Sequence, residues 1–491
     1  VDPRFDRVLM IRRSFAFAIS DRAISTVVVF GSMAIISRIL TPAEIGVFLV
    51  ASSLVYLIEA FRDFGVAACI VQEKDLTQSF VQTAFTIMTL LSLALGAAIF
   101  FAAGWIAIFF DEPEMTLMIR IACLAFIAAP ISNPLLALMR RDMAFGAVAW
   151  TNILSTVVNS GLSIGLALAG YGAFSLIWGS VGAAFIACVV ALVARPDMWV
   201  FRLTLAEWRR VVPFGFWTTL VTILGMVFES FPRFILGRLL GFTAVGLFSR
   251  ALSLSQLVEK TLLSAVQPVI MSDFAARFRS GEALSKRYLT GLELVATLQW
   301  PAMACLAVLA DPIVRLLLGS QWLEVIPILR IVAIAGMALF PASLTFPVLV
   351  AMGRIRDMAI VSLILFVIST SIIYAASQIS LIAVAWSLLL VNPIQAIGMM
   401  LAVHRHVPLK GRDVAWLLWK CFVITSASAF VPLVLVTIQG PELGVVASCL
   451  AVAGAAVGWS MGLVVMSSPI ISEVTRAWSY RPFGGKRSKV L

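Results

Sequence analysis

Apolar runs of roughly 20 residues recur along almost the whole of this 491-residue chain, and each is long enough to cross a hydrocarbon core of about 30 Å. A backbone in lipid must satisfy its own hydrogen bonds, so the runs are read as helices. The ten-residue alternation of a membrane barrel is missing from them. About fourteen spans are expected, near 14–38, 42–62, 78–109, 114–138, 145–169, 171–194, 211–237, 243–270, 285–310, 323–350, 357–377, 379–402, 413–437 and 443–466. Composition agrees: 61% of residues are hydrophobic and 12% charged, more apolar surface than a dissolved globule can hide. Arg12 and Arg13 lead into a long span, which is expected to stay on the chain rather than leave as a signal peptide.

The net charge of +11 raises the possibility of nucleic acid, and its distribution excludes it. Lys and Arg gather in the N-terminal tail (Arg4, Arg7, Arg12, Arg13) and in the loops after even-numbered spans, such as Arg140 and Arg141, or Arg354 and Arg356. The opposite side carries only Arg38, Arg233, Arg238 and Arg315, each near a helix end. That asymmetry predicts both termini on the cytoplasmic side. The six cysteines occur singly, with no C-x-x-C, and read as small apolar residues rather than disulfides or metal ligands. Residues 195–210, with Trp199, Phe201, Leu203 and Trp208 beside Arg202, Arg209 and Arg210, are expected to lie in the membrane interface; residues 467–491 form a basic tail.

The chain also repeats itself. Ile35–Ile58 aligns without a gap on Ile235–Val258: Arg38, Leu40, Gly46, Phe48, Ala51, Ser53 and Leu57 meet the same residue types at Arg238, Leu240, Gly246, Phe248, Ala251, Ser253 and Leu257. Six spans separate the copies, an even number, so both run in one direction and a parallel repeat is expected. The implied organisation is a six-helix lobe over 1–194, the linker 195–210, a second six-helix lobe over 211–402, two extra helices over 403–466, and the tail. Two loops that merely share turn chemistry remain the alternative.

Polar residues inside spans are costly in lipid, so they usually face a partner or an aqueous cavity. At helical spacing, Ser14, Asp21, Ser25 and Ser32 share a face of the first span, with Arg22 beside it; Ser52, Tyr56, Glu59 and Asp63 align on the second. On the seventh, Thr218, Thr222, Gly225 and Glu229 align; on the eighth, Arg250, Ser253, Gln256, Lys260, Ser264 and Gln267 fall within about a third of the circumference. Isolated Ser and Thr in such stripes often bond only to backbone. Two cations on one stripe point instead to a water-filled cleft that holds an anion, because guanidinium matches phosphate and Ser and Gln match sugar hydroxyls. Asp21, Glu59, Glu229 and Glu293 are candidates for ion coupling or charge pairing, and Lys420 is close enough to the membrane surface to snorkel. Prolines 130, 134, 268, 301, 341, 347 and 393 interrupt or bound spans and are possible hinges.

With these residues in view, the chain resembles the polysaccharide-transporter branch of the multidrug/oligosaccharidyl-lipid/polysaccharide exporter superfamily. IISRILTPAEIGVFLVASSLVYLIEAFRDFGVAACIVQEKDLT looks like that branch's opening pattern, and ADPIVRLLLGSQWLEVIPILRI like its later Gly-x-x-Trp segment. The resemblance implies an all-α polytopic protein of fourteen helices in a bacterial inner membrane. It implies alternating access and a flippase for undecaprenyl-pyrophosphate-linked repeat units, feeding exopolysaccharide, capsule or O-antigen synthesis. A cationic cavity is implied with it, and matching positions assign that role to Arg22, Arg250 and Lys260. A polysaccharide polymerase and a chain-length regulator would be partners beside the lipid-linked oligosaccharide and membrane lipids. A cation-coupled multidrug exporter of the same fold would want an acidic pocket, which the eighth-span stripe opposes. A lipid II flippase would carry a mid-span Arg on the second span, which is lacking. No catalytic cluster, cofactor motif or G-x-x-x-x-G-K-[ST] is present, so an enzyme is not expected.

Overall fold

A computed structural model describes residues 3–258, 284–352 and 354–468. Among these the secondary structure is helical, with no strand. In order the long helices are α1 (Pro3–Ile39), α2 (Pro42–Asp63), α3 (Val66–Gln72), α4 (Gln78–Phe110), α5 (Glu114–Ala122), α6 (Ala125–Arg141), α7 (Phe145–Leu168), α8 (Phe174–Ala194) and α9 (Trp208–Leu239). They continue as α10 (described over Phe242–Val258), α11 (Leu284–Val308), α12 (Ala310–Leu317), α13 (Val325–Gly336), α14 (Ala342–Ala351), α15 (Ile355–Ser377), α16 (Leu381–His404), α17 (Gly411–Gln439) and α18 (Val445–Val465). Among the described residues, 12 helices are long and apolar enough to cross a membrane. They coincide with every expected span except the seventh and eighth. The seventh is α9, a helix of 32 residues interrupted by Pro213 and Pro232 and charged at Glu229, Arg233 and Arg238. The eighth is α10, described only as far as Val258.

The chain divides into two compact units. One is Val1–Leu247 with Leu317–Gln321, the other Phe248–Leu316 with Trp322–Leu491.

Within the first unit the repeated segments meet each other. A Cβ on Gly46 would lie 1.8 Å from the Phe242 carbonyl oxygen, and a Cβ on Gly246 would lie 2.0 Å from that of Pro42. The contact is mutual: position 46 meets 242, and 246 meets 42, each pair 200 residues out of step with the other. This is the reciprocity of a local two-fold axis. The turns leading in are built differently. Thr41 closes α2 in a capping box, its hydroxyl accepting from the Glu44 amide while Glu44 accepts from the Thr41 amide at 2.7 Å. In the second copy Gly241 takes the same place at φ +81°, which a side chain would strain. Gln321 donates to the Ser37 carbonyl and, at 3.0 Å, to that of Leu40, tying residues 317–321 to the end of α1.

The linker after α8 is fastened to α4. Gln82 Nε2 donates to the Trp199 carbonyl (2.9 Å), the Thr204 amide to Thr86 (3.0 Å), and Phe201 meets Phe85 edge-on at 5.3 Å. Trp199 and Phe201 thus turn inward, while Leu203 is 72% and Trp208 49% exposed. The segment keeps an apolar face free, as an interfacial strap requires.

Two prolines expected as hinges are pinned. Proline at position i leaves the carbonyl of i−4 without its helical donor. Pro130 frees Phe126, whose carbonyl accepts from the Ser92 hydroxyl, and Pro301 frees Thr297, which accepts from Trp459 Nε1 at 2.9 Å. Each orphaned acceptor is met by a side chain of another helix, as the lack of water in lipid demands. Trp459→Phe is therefore expected to cost about 1–2 kcal/mol, the penalty of one unsatisfied buried carbonyl. Pro301→Ala restores the intrahelical bond, so in that background Trp459→Phe should cost almost nothing. A double-mutant cycle on thermal stability in detergent checks this, and additive losses would contradict it.

In the second unit α17 and α18 pack closely: a Cβ on Gly458 would lie 2.2 Å from the Ala427 carbonyl oxygen. This pair is joined to α11 by Lys420–Glu293 at 3.1 Å, both side chains mostly buried (16% and 13% exposed). Lys420 does not reach for the membrane surface as snorkelling predicts; a carboxylate in the protein is the nearer and drier partner. Lys420→Met strands Glu293 and should cost about 2–3 kcal/mol, at the low end for a buried pair, with Glu293→Gln in the same chain recovering most of it. Thermal unfolding of the three variants measures the difference.

Candidate functional site

In the first unit, Asp21 on α1 is half-buried, and both of its oxygens are used. Ser25 donates to one at 3.2 Å and Asn152 of α7 to the other at 3.0 Å. Its neighbour Arg22 is exposed. On α2, Arg62 is only 4% exposed and lies between Glu59 (3.1 Å) and Asp63 (3.0 Å), with Asn133 of α6 also donating to Asp63 and the Phe126 ring 4.9 Å away. Glu59 is thus a charge-pairing residue. Arg62 ends an even-numbered span, where loop cations are expected, yet it sits inside the protein because two carboxylates neutralise it.

Sequence reasoning missed Arg233. It was assigned to a helix end, yet it stands six residues before the end of α9, about 9 Å along the axis, and its Nη1 donates to Ser53 of α2 at 3.1 Å. Tyr56, one turn on from Ser53, is 47% exposed. The signal was present: Arg233 follows Glu229 by four residues and so extends the Thr222–Glu229 stripe. Thr222 and Glu229 are exposed, consistent with a polar face on α9. Arg233 and Tyr56 are hydrogen-bond donors suited to phosphate or sugar oxygens, while buried Ser53 gives its own proton to the Leu49 carbonyl at 2.6 Å.

In the second unit, Arg250 occupies α10 two turns in from its start. Its Nε is buried with no hydrogen-bond partner, and among the described residues no carboxylate pairs with it. The guanidinium carbon lies 5.6 Å from the ring centroid of Trp322, which is fully buried. The indole face offsets part of the charge without using any of the fork's donors. Ser253, one turn on, gives its proton to the Ser249 carbonyl at 2.8 Å and keeps its lone pairs; Gln256 is half-buried. Lys260, Ser264 and Gln267, the rest of the stripe, lie outside the described residues. Glu293, a candidate for ion coupling or charge pairing, is the partner of Lys420. Among the described residues no group of His, Cys, Asp and Glu could hold a metal ion.

The polysaccharide biosynthesis protein family matches residues 35–327. The succinoglycan biosynthesis transport protein ExoT of Rhizobium meliloti is 26% identical over 386 residues, 77% of this chain and 76% of its own. The lipopolysaccharide biosynthesis protein WzxC of Escherichia coli is 23% identical over 343 residues, 64% of this chain and 65% of its own. Among solved structures, the lipid II flippase MurJ in an inward closed conformation superposes with a TM-score of 0.75 at 12% identity, covering 94% of this chain and all of that one, which is a likeness of fold. The chain belongs to the polysaccharide biosynthesis protein family.

Proposed function

We propose that this protein is a flippase, carrying undecaprenyl-pyrophosphate-linked oligosaccharide repeat units across a bacterial inner membrane for exopolysaccharide, capsule or O-antigen assembly. Both termini would be cytoplasmic, as the Lys and Arg asymmetry requires. Membership in a family of polysaccharide biosynthesis proteins supports the substrate class. The observation that carries the reading is Arg250: an arginine within a membrane helix with no carboxylate among the described residues and an unsatisfied buried Nε. A stranded cation costs free energy in lipid unless something anionic visits it. A pyrophosphate brings adjacent acceptors that match the guanidinium fork, and sugar hydroxyls match Ser253 and Gln256. Arg22 and Arg233, with Thr222, would serve the same headgroup at other stages of its passage.

The test is genetic and chemical. In cells lacking the protein, lipid-linked repeat units should accumulate in the cytoplasmic leaflet, and mass spectrometry of that lipid names the sugar. Arg250→Gln with Lys260→Gln should reproduce the accumulation at normal protein levels. Undiminished export by the double variant would remove the eighth span from the substrate path.

A further inference from the structure

A hollow opens within the first unit, among α2, α4 and α9. It measures about 360 Å³ and is lined by Leu54, Trp105, Ile106, Phe109, Phe110 and Phe234. Its lining is almost wholly apolar, and its rim is open: Trp105 is 79% and Phe109 58% exposed. On a helix bundle in lipid such a hollow is filled by hydrocarbon rather than left dry, since neither water nor vacuum satisfies those walls. Its size falls in the range of sites that hold a small ligand. One charged group marks it: the Arg238 guanidinium lies 5.6 Å from the ring centroid of Phe109, itself part of the wall. Arg238 is exposed and, among the described residues, has no ion pair with any carboxylate, although Asp111 and Glu112 follow directly on α4. It stands one residue before the end of α9, where a helix end meets the headgroup region.

We infer that this hollow is a binding site for one glycerophospholipid of the bilayer, with the lipid phosphate on Arg238 and an acyl chain against Trp105 and Phe109. The charge pattern favours a membrane phospholipid over the transported lipid. A single guanidinium, with no second cation paired to it among the described residues, suits one phosphate, and suits poorly a pyrophosphate with twice the charge. The site abuts the α9–α10 turn: Phe110 of the wall meets Phe242 at 6.4 Å, and Phe242 is the residue against which Gly46 packs. The bound lipid would thus wedge beside the repeat contact and support it.

The experiment reconstitutes the full chain in vesicles of mixed phosphatidylethanolamine and phosphatidylglycerol containing undecaprenyl pyrophosphate, then records retained lipid by native mass spectrometry. Arg238→Gln removes the phosphate anchor, and Leu54→Trp fills the hollow. The wild type should hold one phospholipid more than either variant, with its occupancy falling at least fivefold in each. Arg238 is exposed, so its variant folds and decides the matter even if Leu54→Trp is unstable. Equal phospholipid retention by Arg238→Gln and wild type overturns the assignment, and so does recovery of undecaprenyl pyrophosphate as the adduct that depends on Arg238.

Discussion

Arg250→Met should leave the protein as stable as the wild type, or more so, while export falls about a hundredfold. Methionine fills much the same volume against Trp322, and it removes a buried donor that has no acceptor among the described residues. Replacing buried charge by apolar groups of similar size is often neutral or stabilising. The guanidinium that disappears would have offered the passing pyrophosphate two charge-assisted hydrogen bonds at about 1.5–3 kcal/mol each, which sets the scale of the functional loss. A residue kept for stability predicts the reverse: lower melting temperature and export reduced only in proportion to protein level. Arg250→Lys separates charge from geometry, and it should retain part of the export because the point charge survives without the planar fork. Thermal unfolding and surface polysaccharide, measured on the same membranes, settle which pattern holds.

Gly46→Ala and Gly246→Ala should each cost about 3 kcal/mol or more, and the two losses should match. A methyl group at either position lands within about 2 Å of a carbonyl oxygen that belongs to the backbone of the opposing turn. No rotamer change relieves such a clash, so the turns must separate, which exceeds the usual penalty of an overpacked core. The equality follows from the mutual geometry, because 46 meets 242 as 246 meets 42. Gly31→Ala is the control: a Cβ there meets nothing within 4 Å, and on a helix alanine is the better former by about 1 kcal/mol. Fluorescence-detected gel filtration across a temperature series reads all three. A tolerated alanine at 46 or 246 would show that the repeat contact opens freely.

The class of fold was legible because lipid imposes one demand on every span, and that demand is written in hydropathy. The matching Gly-x-Phe frame was legible for a related reason: Gly46 and Gly246 each face a backbone carbonyl at a distance only glycine allows. What could not be read was which charge meets which. Helical periodicity places Glu293 and Lys420 on faces of their own helices, but nothing local says that α11 and α17 bring them within 3.1 Å. Arg62 looked like a topological cation because it ends a span, and its burial between Glu59 and Asp63 depends on the packing of α6 against α2. Arg233 was hidden by the opposite error. Counting it among helix-end charges obscured its place on the α9 stripe, four residues beyond Glu229. The prolines carry the same lesson. Sequence marks the broken bond, while the donors that repair it, Ser92 and Trp459, come from other helices.

The equilibrium affinity of the purified protein for an undecaprenyl-pyrophosphate oligosaccharide, compared between wild type and Arg250→Met in the same nanodiscs, bears most directly on all of this. Binding about a hundredfold weaker in Arg250→Met, with the fold intact, is the result expected if that arginine cradles the phosphorylated headgroup. Equal affinity in the two proteins would mean that the charge on α10 serves something other than the transported lipid.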